Sequence, residues 1–220
     1  MLLNGTHLLP DGTGATIWPR RRLLAAADPL PAAPGRDGGP AAAVVKVLAA
    51  LLRRRSPATV VWLGTGLAAA LAAGRLDRRW AAELTRLAEA SDWVWVGDDL
   101  PPGLPGRSVA EWTLGPLTFR AAASPAAGPG EVAASPAPSA CLRHGDDGGA
   151  PAPCYLVDGR RLLLPPFGPR PGRADALSPE VLALYRRPFQ ALLLLPGGRL
   201  LARPRAALRP APGPGPAGPR

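Results

Sequence analysis

Two short apolar segments, at 59–63 and 93–96, are each followed by a glycine and then by polar residues. The polar residues are Thr65 after the first segment, and Asp98 and Asp99 after the second. In α/β proteins, ligands and catalytic groups gather at the C-terminal ends of parallel strands. Aspartates at such a position could bind a divalent cation through oxygen atoms. The chain has only 2 histidines, so a metal site with several imidazole ligands is hard to assemble from it.

The segments that would position these residues alternate between strand and helix patterns. Strands are predicted at 23–26, 59–63 and 93–96, and helices at about 41–55 and 77–90, where apolar residues recur on one helical face. The order strand–helix–strand–helix–strand predicts parallel strands joined by crossover helices.

The remaining segments predict mainly β-structure. Short strands are expected at 1–3, 6–9 and 16–18, a helix at 178–185, and hairpins at 109–113/117–120, 155–157/161–164 and 189–195/199–202. We therefore predict a single α/β domain at 1–208, a sandwich of two mixed β-sheets with helices outside. The Pro/Gly-rich segment at 209–220 is expected to be a disordered tail.

Composition limits the classes of protein. The chain has 220 residues, 47% of them hydrophobic, and a formal net charge of +10. This charge is compatible with a nucleic-acid partner. It is also compatible with an ordinary protein surface whose basic residues are almost all arginine, since Lys46 is the only lysine. Arg53–Arg55 fit the charge cluster that favours a helix C-terminus better than a DNA-binding patch.

Localisation and cysteine chemistry follow from the same composition. No apolar stretch reaches the roughly 18–20 residues that span a bilayer, and the N-terminus has no signal-peptide pattern. We expect a cytoplasmic protein without a membrane partner. Cys141 and Cys154 have neither a CxxC spacing nor a histidine partner, and are expected to be free buried thiols.

The order of segments resembles the bacterial calcineurin-like metallophosphoesterases, in particular the ligase-associated DNA-damage-response phosphoesterases (PdeM-type). The resemblance covers about residues 1–205. It rests on Asp-Trp-Val-Trp-Val-Gly at 92–97, Leu-Gly-Pro-Leu-Thr-Phe-Arg at 114–120, and Asp-Gly-Arg-Arg-Leu-Leu-Leu-Pro-Pro-Phe-Gly at 158–168. The resemblance implies the calcineurin-like sandwich and a centre of two metal ions that binds phosphate and activates a water molecule.

The first two ligand motifs of that family, Asp-x-His and Gly-Asp, are only partly retained. Asp28 matches the aspartate of the first motif, but Leu30 stands where its histidine is expected. Gly64 matches the second motif, but Thr65 replaces the aspartate that bridges both metals. Without a bridging carboxylate, two cations about 3.5–4 Å apart repel each other strongly.

The other ligand motifs have lost every imidazole. Asp98 replaces the asparagine of Gly-Asn-His-Asp/Glu, and Asp99 replaces its catalytic histidine. Ala121 lies where an isolated histidine is expected, and Ser135 and Ala137 replace the two histidines of Gly-His-x-His. His7 and His144 lie at no ligand position and are expected to be structural or surface residues.

We therefore expect a catalytically degenerate phosphoesterase, or pseudoenzyme, that has no cofactor. Thr65 and Asp99 would be vestigial catalytic positions, and Asp28 and Asp98 vestigial metal positions. The partners that the resemblance implies are DNA-repair proteins (a ligase, a helicase and an exonuclease) or DNA itself. Two alternatives stay open: a residual phosphoesterase or nuclease in which Asp28, Asp98 and Asp99 hold one weakly bound Mn or Mg, and a decaying gene product without activity.

Overall fold

A computed structural model describes residues 1–30, 39–97, 105–143, 150–168 and 170–211. Asp98, Asp99 and His144, which the sequence singled out, lie outside the described residues. Within the described part of the chain, no helix combines the length and the apolar character needed to cross a membrane.

The first half of the chain builds a six-stranded sheet. Its strands follow the short hairpin β1 (Leu2–Leu3) and β2 (Thr6–His7), and are β3 (Leu9–Pro10), β4 (Thr16–Trp18), β5 (Leu23–Ala27), β6 (Thr59–Leu63), β7 (Asp92–Val96) and β8 (Arg107–Val109). They lie in sequence order, antiparallel from β3 to β5 and parallel from β5 to β8. The helices between them are α1 (Gly39–Arg55), α2 (Gly66–Ala72) and α3 (Arg78–Glu89). The predicted parallel unit is confirmed.

The second half builds a larger mixed sheet. Its strands are β9 (Glu111–Leu114), β10 (Leu117–Ala122), β11 (Glu131–Ser135), β12 (Pro138–Leu142), β13 (Ala152–Val157), β14 (Arg161–Leu163), β15 (Ala174–Asp175), β16 (Gln190–Leu195), β17 (Arg199–Pro204) and β18 (Leu208–Arg209). The main path runs β15-β12-β13-β14-β11-β10-β9, and β16 joins β13 to β17. The three predicted hairpins are confirmed. The short helix α4 (Pro179–Ala183) precedes β16.

The two sheets stack face to face, with helices outside. Alternate residues of β6 and β7 point in opposite directions, which explains why both strands are apolar throughout. Val61 and Val94 face the second sheet and pack in one cluster with Phe119 and Tyr155, whereas Trp62 packs in the cluster of α1–α3. Helix α4 packs in a third cluster, which includes residues of β11, β13 and β16. The fold is thus a mixed α/β sandwich.

Several elements differ from the sequence-based expectation. The segment of α2 carried no helix prediction, because its small residues show no amphipathic period, and the strands β11 and β12 were not predicted either. The strand expected at 6–9 is divided into β2 and β3, which lie in different sheets. Leu208–Arg209 pairs with β12, and the amide of Ala211 donates to Asp175 Oδ2 at 2.8 Å. Arg209 was therefore wrongly assigned to a disordered tail; residues 212–220 lie outside the described residues.

The arginines at the end of α1 have a structural partner. Arg54 and Arg55 each donate from Nη2 to the buried carboxylate of Asp11, at 3.0 and 2.8 Å from Oδ2. Burial acts to raise the pKa of Asp11, but the hydrogen bonds from Arg55 and Thr13 and the charge of Arg54 outweigh it and hold this pKa below its ordinary value. Two of the three arginines thus fasten the α1 C-terminus to the turn between β3 and β4.

Tyr155 joins the two sheets at the same turn. Its hydroxyl oxygen lies 2.7 Å from the carbonyl oxygen of Asp11 and 2.6 Å from that of Ala15, and it accepts from the Asp11 amide at 3.2 Å. The ring is completely buried, so water cannot replace these bonds.

We expect Tyr155→Phe to lower the free energy of unfolding by about 0.5–1.5 kcal/mol, because it removes the buried hydrogen bonds of the hydroxyl. The backbone groups concerned keep partners in the turn, since the Asp11 amide also donates to Ala15 O and the Gly14 amide donates to Asp11 O. Tyr185→Phe is the matched control, since the buried Tyr185 hydroxyl donates to Leu156 O, at 2.9 Å, within the second sheet. It does not join the two sheets, so its loss should cost less. Urea unfolding of both variants measures the difference. An equal loss, or none at Tyr155, would contradict the role of this hydroxyl in joining the sheets.

Candidate functional site

The positions that the resemblance assigns to metal ligands come together in one cleft of about 360 Å³. Among the residues that line it are Asp28, Leu30, Thr65, Ala121, Ser135 and Ala137. Six of the eight mapped positions are thus brought to one place, and the other two, Asp98 and Asp99, lie outside the described residues. These six positions therefore share one cleft, and their role stays a prediction.

The cleft forms because strand ends of both sheets meet. Asp28 follows β5 and Thr65 follows β6, and these strands are parallel neighbours with Ala27 opposite Leu63. On the other sheet, β10 and β11 are also parallel and bring Ala121 close to Ser135. The parallel register within each sheet therefore fixes the mouth of the cleft.

Asp28 is held by three hydrogen bonds within the protein. Its Oδ1 accepts from the Leu30 amide at 2.9 Å, and its Oδ2 accepts from Trp62 Nε1 at 3.0 Å and from the Leu67 amide at 2.6 Å. Burial raises the pKa of Asp28, and the three donors together with the charge of Arg173 offset only part of that rise. The carboxylate is thus engaged in holding the chain after β5 and the first turn of α2.

The glycines retained from the ligand motifs have packing roles here. Gly64 has a φ of +123°, and a Cβ on it would lie 2.6 Å from Asp28 Cβ. A Cβ on Gly97 would lie 2.8 Å from Thr65 Cγ2. At Gly64 both the positive φ and the contact with Asp28 require glycine, whether or not a metal is bound. At Gly97 a side chain would require the Thr65 side chain to move. Packing thus accounts for Gly64 without a metal ion.

Arg173 brings a positive charge to the cleft that the sequence did not reveal. It lines the cleft together with Glu180, and its Nη2 donates to the carbonyl of Pro29 at 2.8 Å. Its own amide donates to Ala137 O at 2.7 Å, which positions it on the second sheet. No motif marks this residue, since it lies in a Pro/Gly-rich connection and reaches the cleft through contacts between distant segments.

The described residues do not fit a two-metal centre. Thr65 is neutral, the oxygen atoms of Asp28 are taken by N–H donors, and the cationic Arg173 lies nearby. Across the described ranges, no group of three or more His, Cys, Asp or Glu side chains is placed to hold a metal ion. His7 is exposed on β2, away from the cleft lining.

Because burial raises the pKa of Asp28, its ionisation should start above the ordinary value of 3.8. The folded state then holds the proton of Asp28 more tightly than the unfolded state does. The protonated carboxyl therefore makes its full contribution to stability below pH 3.8, and this contribution is lost as the pH rises through the pKa of the folded state. Carbon-13 NMR of the Asp28 carboxyl should give a midpoint above 3.8. As the pH rises from 3.8 through the folded pKa, the unfolding free energy of the wild type should also fall relative to that of Asp28→Asn. A titration midpoint below pH 3.8, or a rise in this relative free energy with pH, would contradict the raised pKa of Asp28.

Comparisons with known proteins support the fold. No protein-family model matches the chain, and no curated protein sequence matches it. Among solved structures, it is similar to the crystal structure of the Pseudomonas putida nuclease MPE, with a TM-score of 0.67 and 23% sequence identity. The match covers 92% of this chain and 98% of the nuclease chain. At this identity, the likeness shows that the two proteins share a fold.

Proposed function

We propose that this chain is a pseudoenzyme of the calcineurin-like metallophosphoesterase type, which acts by binding and not by hydrolysis. The observation that carries the proposal is the cleft itself. Its position between strand ends is that of an active site. The side chains at five of the expected metal-ligand positions are those of Leu30, Thr65, Ala121, Ser135 and Ala137. None of these five side chains offers an anionic or imidazole ligand.

The charges in the cleft support the same proposal. Two divalent cations about 3.5–4 Å apart require a shared anionic ligand, which Thr65 does not supply. Three N–H donors already occupy three of the roughly four acceptor sites of the Asp28 carboxylate, two of them on Oδ2, so little of its capacity is left for a metal ion. The guanidinium of Arg173 also opposes a second positive charge at this place.

The partner class follows from the fold and the net charge. The structural neighbour is described as a nuclease, and the resemblance implies partners in DNA repair: a ligase, a helicase, an exonuclease or DNA itself. A formal charge of +10 favours a polyanionic partner or one with an acidic surface. We therefore propose a binding component of DNA repair.

Hydrolysis of bis-p-nitrophenyl phosphate by the purified protein tests the loss of activity. We expect no turnover that depends on Mn²⁺, and no increase in the unfolding temperature when Mn²⁺ is added, because the described residues offer no anionic bridge between two cations. Protein treated with EDTA gives the baseline for both measurements.

Two variants make the result decisive. Asp28→Asn removes the one retained carboxylate of the cleft, and Asp77→Asn is the control, since Asp77 caps α3 by accepting from Trp80 N at 3.0 Å. Turnover that needs Mn²⁺, disappears in Asp28→Asn and survives in Asp77→Asn would overturn the pseudoenzyme. It would establish instead the residual site of Asp28, Asp98 and Asp99. A chain that lacks cooperative unfolding would support the decaying gene product.

A further inference from the structure

We propose that the β16–β17 hairpin forms a docking groove for an extended, acidic segment of a partner protein with apolar side chains. This groove is separate from the cleft at Asp28, and the proposal does not depend on whether that cleft hydrolyses phosphodiesters. It rests on the register of the hairpin, on two neighbouring hollows along one of its faces, and on the charges around them.

The hairpin presents a continuous apolar face. Leu194 lies opposite Leu200, and Leu192 lies opposite Ala202. Residues directly opposite each other in an antiparallel pair lie on the same face, and these two pairs are about 7 Å apart along the strands. Leu192 and Leu194 pack at the margin of the core between the sheets. The face therefore begins in the core and continues outward to β17.

Each of these pairs lines a separate hollow. Leu194 and Leu200 line a hollow of about 1180 Å³, together with residues of the β3–β4 turn and α1. Leu192 and Ala202 line a second hollow of about 430 Å³, together with Leu2. Leu2 and Leu200 are 54% and 36% exposed. The two hollows share no lining residue, but the adjacent register of the two pairs places them in succession along the same face of the hairpin; we call the two together the groove.

The outer edge of the hairpin can extend the sheet. β17 pairs with β16 over all six residues, and no other described strand pairs with it. An extended segment could therefore add to β17 through main-chain hydrogen bonds, with its alternate side chains in the groove. Long exposed edges are usually protected against unwanted pairing by charged residues or proline. β17 has this protection in Arg199, Arg203 and Pro204, and its two arginines would admit an acidic segment more readily than a neutral or basic one.

Charge selects the partner. Arg54, Arg55 and Arg170 line the larger hollow. The side chains of Arg54 and Arg55 remain 59% and 41% exposed although both bind Asp11, and Arg170 has no ion pair with a described acidic residue. In the smaller hollow, Asp158 is occupied by its own turn, where it accepts from the amides of residues 160 and 161. The groove thus offers an apolar floor with arginine at its margin, which complements an acidic segment with apolar anchors.

Two other occupants fit less well. A second copy of this chain would bring the same arginines and the same +10 charge to the interface, which is repulsive. Single-stranded nucleic acid usually stacks its bases on aromatic rings, and none of the described residues lining the two hollows is aromatic. An acidic, partly apolar protein segment is the occupant that both the charges and the side chains favour.

Fluorescence anisotropy with labelled dodecapeptides tests the groove. We expect a peptide of alternating Asp and Leu to bind. Peptides of alternating Asp and Ser, or of alternating Lys and Leu, should bind at least about tenfold more weakly. The first lacks apolar side chains for the groove, and the second lacks negative charges for its arginines. If the Asp-Ser peptide bound as tightly as the Asp-Leu peptide, net charge alone would account for binding, and the proposal would be overturned. Tighter binding of an oligothymidylate to the same surface would also overturn it.

Matched variants locate the binding surface. Leu200→Glu places a charge in the larger hollow and should weaken binding of the Asp-Leu peptide at least about tenfold. Ala202→Glu should act similarly in the smaller hollow, and provides a second variant if the first unfolds. Leu9→Glu is the control, because Leu9 is 49% exposed and lines neither hollow; its effect should stay below about twofold.

Two results would locate the function elsewhere. If Leu200→Glu and Ala202→Glu both fold and bind the Asp-Leu peptide like the wild type, the groove is not the docking site. If sedimentation shows a dimer that Leu200→Glu dissociates, the occupant is a second copy of this chain. Either result overturns the proposal of an acidic partner and leaves the hydrolysis experiment unaffected, so the two proposals fail independently.

Discussion

The geometry of the cleft depends on one half-buried carboxylate. Asp28 joins the end of β5 to Trp62 of β6 and to the first turn of α2, and these elements form one wall of the cleft. Gly64 lacks a side chain at the point where a Cβ would meet Asp28. In a two-metal centre, cations would balance such a carboxylate. Here three N–H donors and the nearby Arg173 offset part of the cost of its burial, and the same hydrogen bonds hold the wall together without a metal ion.

The opposite wall is stabilised by a second buried charge. Glu131 of β11 pairs with Arg161 of β14, and both are almost completely buried. Arg161 also donates to the carbonyls of Ser124 and Leu184, and the Ser124 amide donates to Glu131 at 2.9 Å. Removal of one member of such a network leaves an uncompensated charge in the core, which typically costs 3–5 kcal/mol. A sequence free of selection for folding would not keep these partners together, which argues against a decaying gene product.

The sequence predicted those features whose causes are local. Periodicity gave α1, α3 and the parallel strands, and the turn patterns gave the three hairpins. The helix expected at 178–185 is α4, which begins where Ser178 accepts from Val181 N at 3.4 Å. The features it missed depend on distant segments. Arg173 meets Pro29 across 144 residues of sequence, and Asp28 finds donors 34 and 39 residues away. No local pattern reveals such contacts, so the cleft could be located from motifs but the engagement of its carboxylate could not.

The cleft and the hairpin groove are subject to different constraints. In the cleft, three N–H donors within the protein hold the Asp28 carboxylate, so the shape of the cleft does not depend on metal ligands. An exposed leucine on an open edge strand is a liability in an isolated protein, because it favours unwanted association. Leu200 is nevertheless present beside such an edge, with arginines rather than neutral residues around it. Under the proposed function, in which the cleft does not hydrolyse phosphodiesters, this apolar face gives the chain a surface through which it can act by binding.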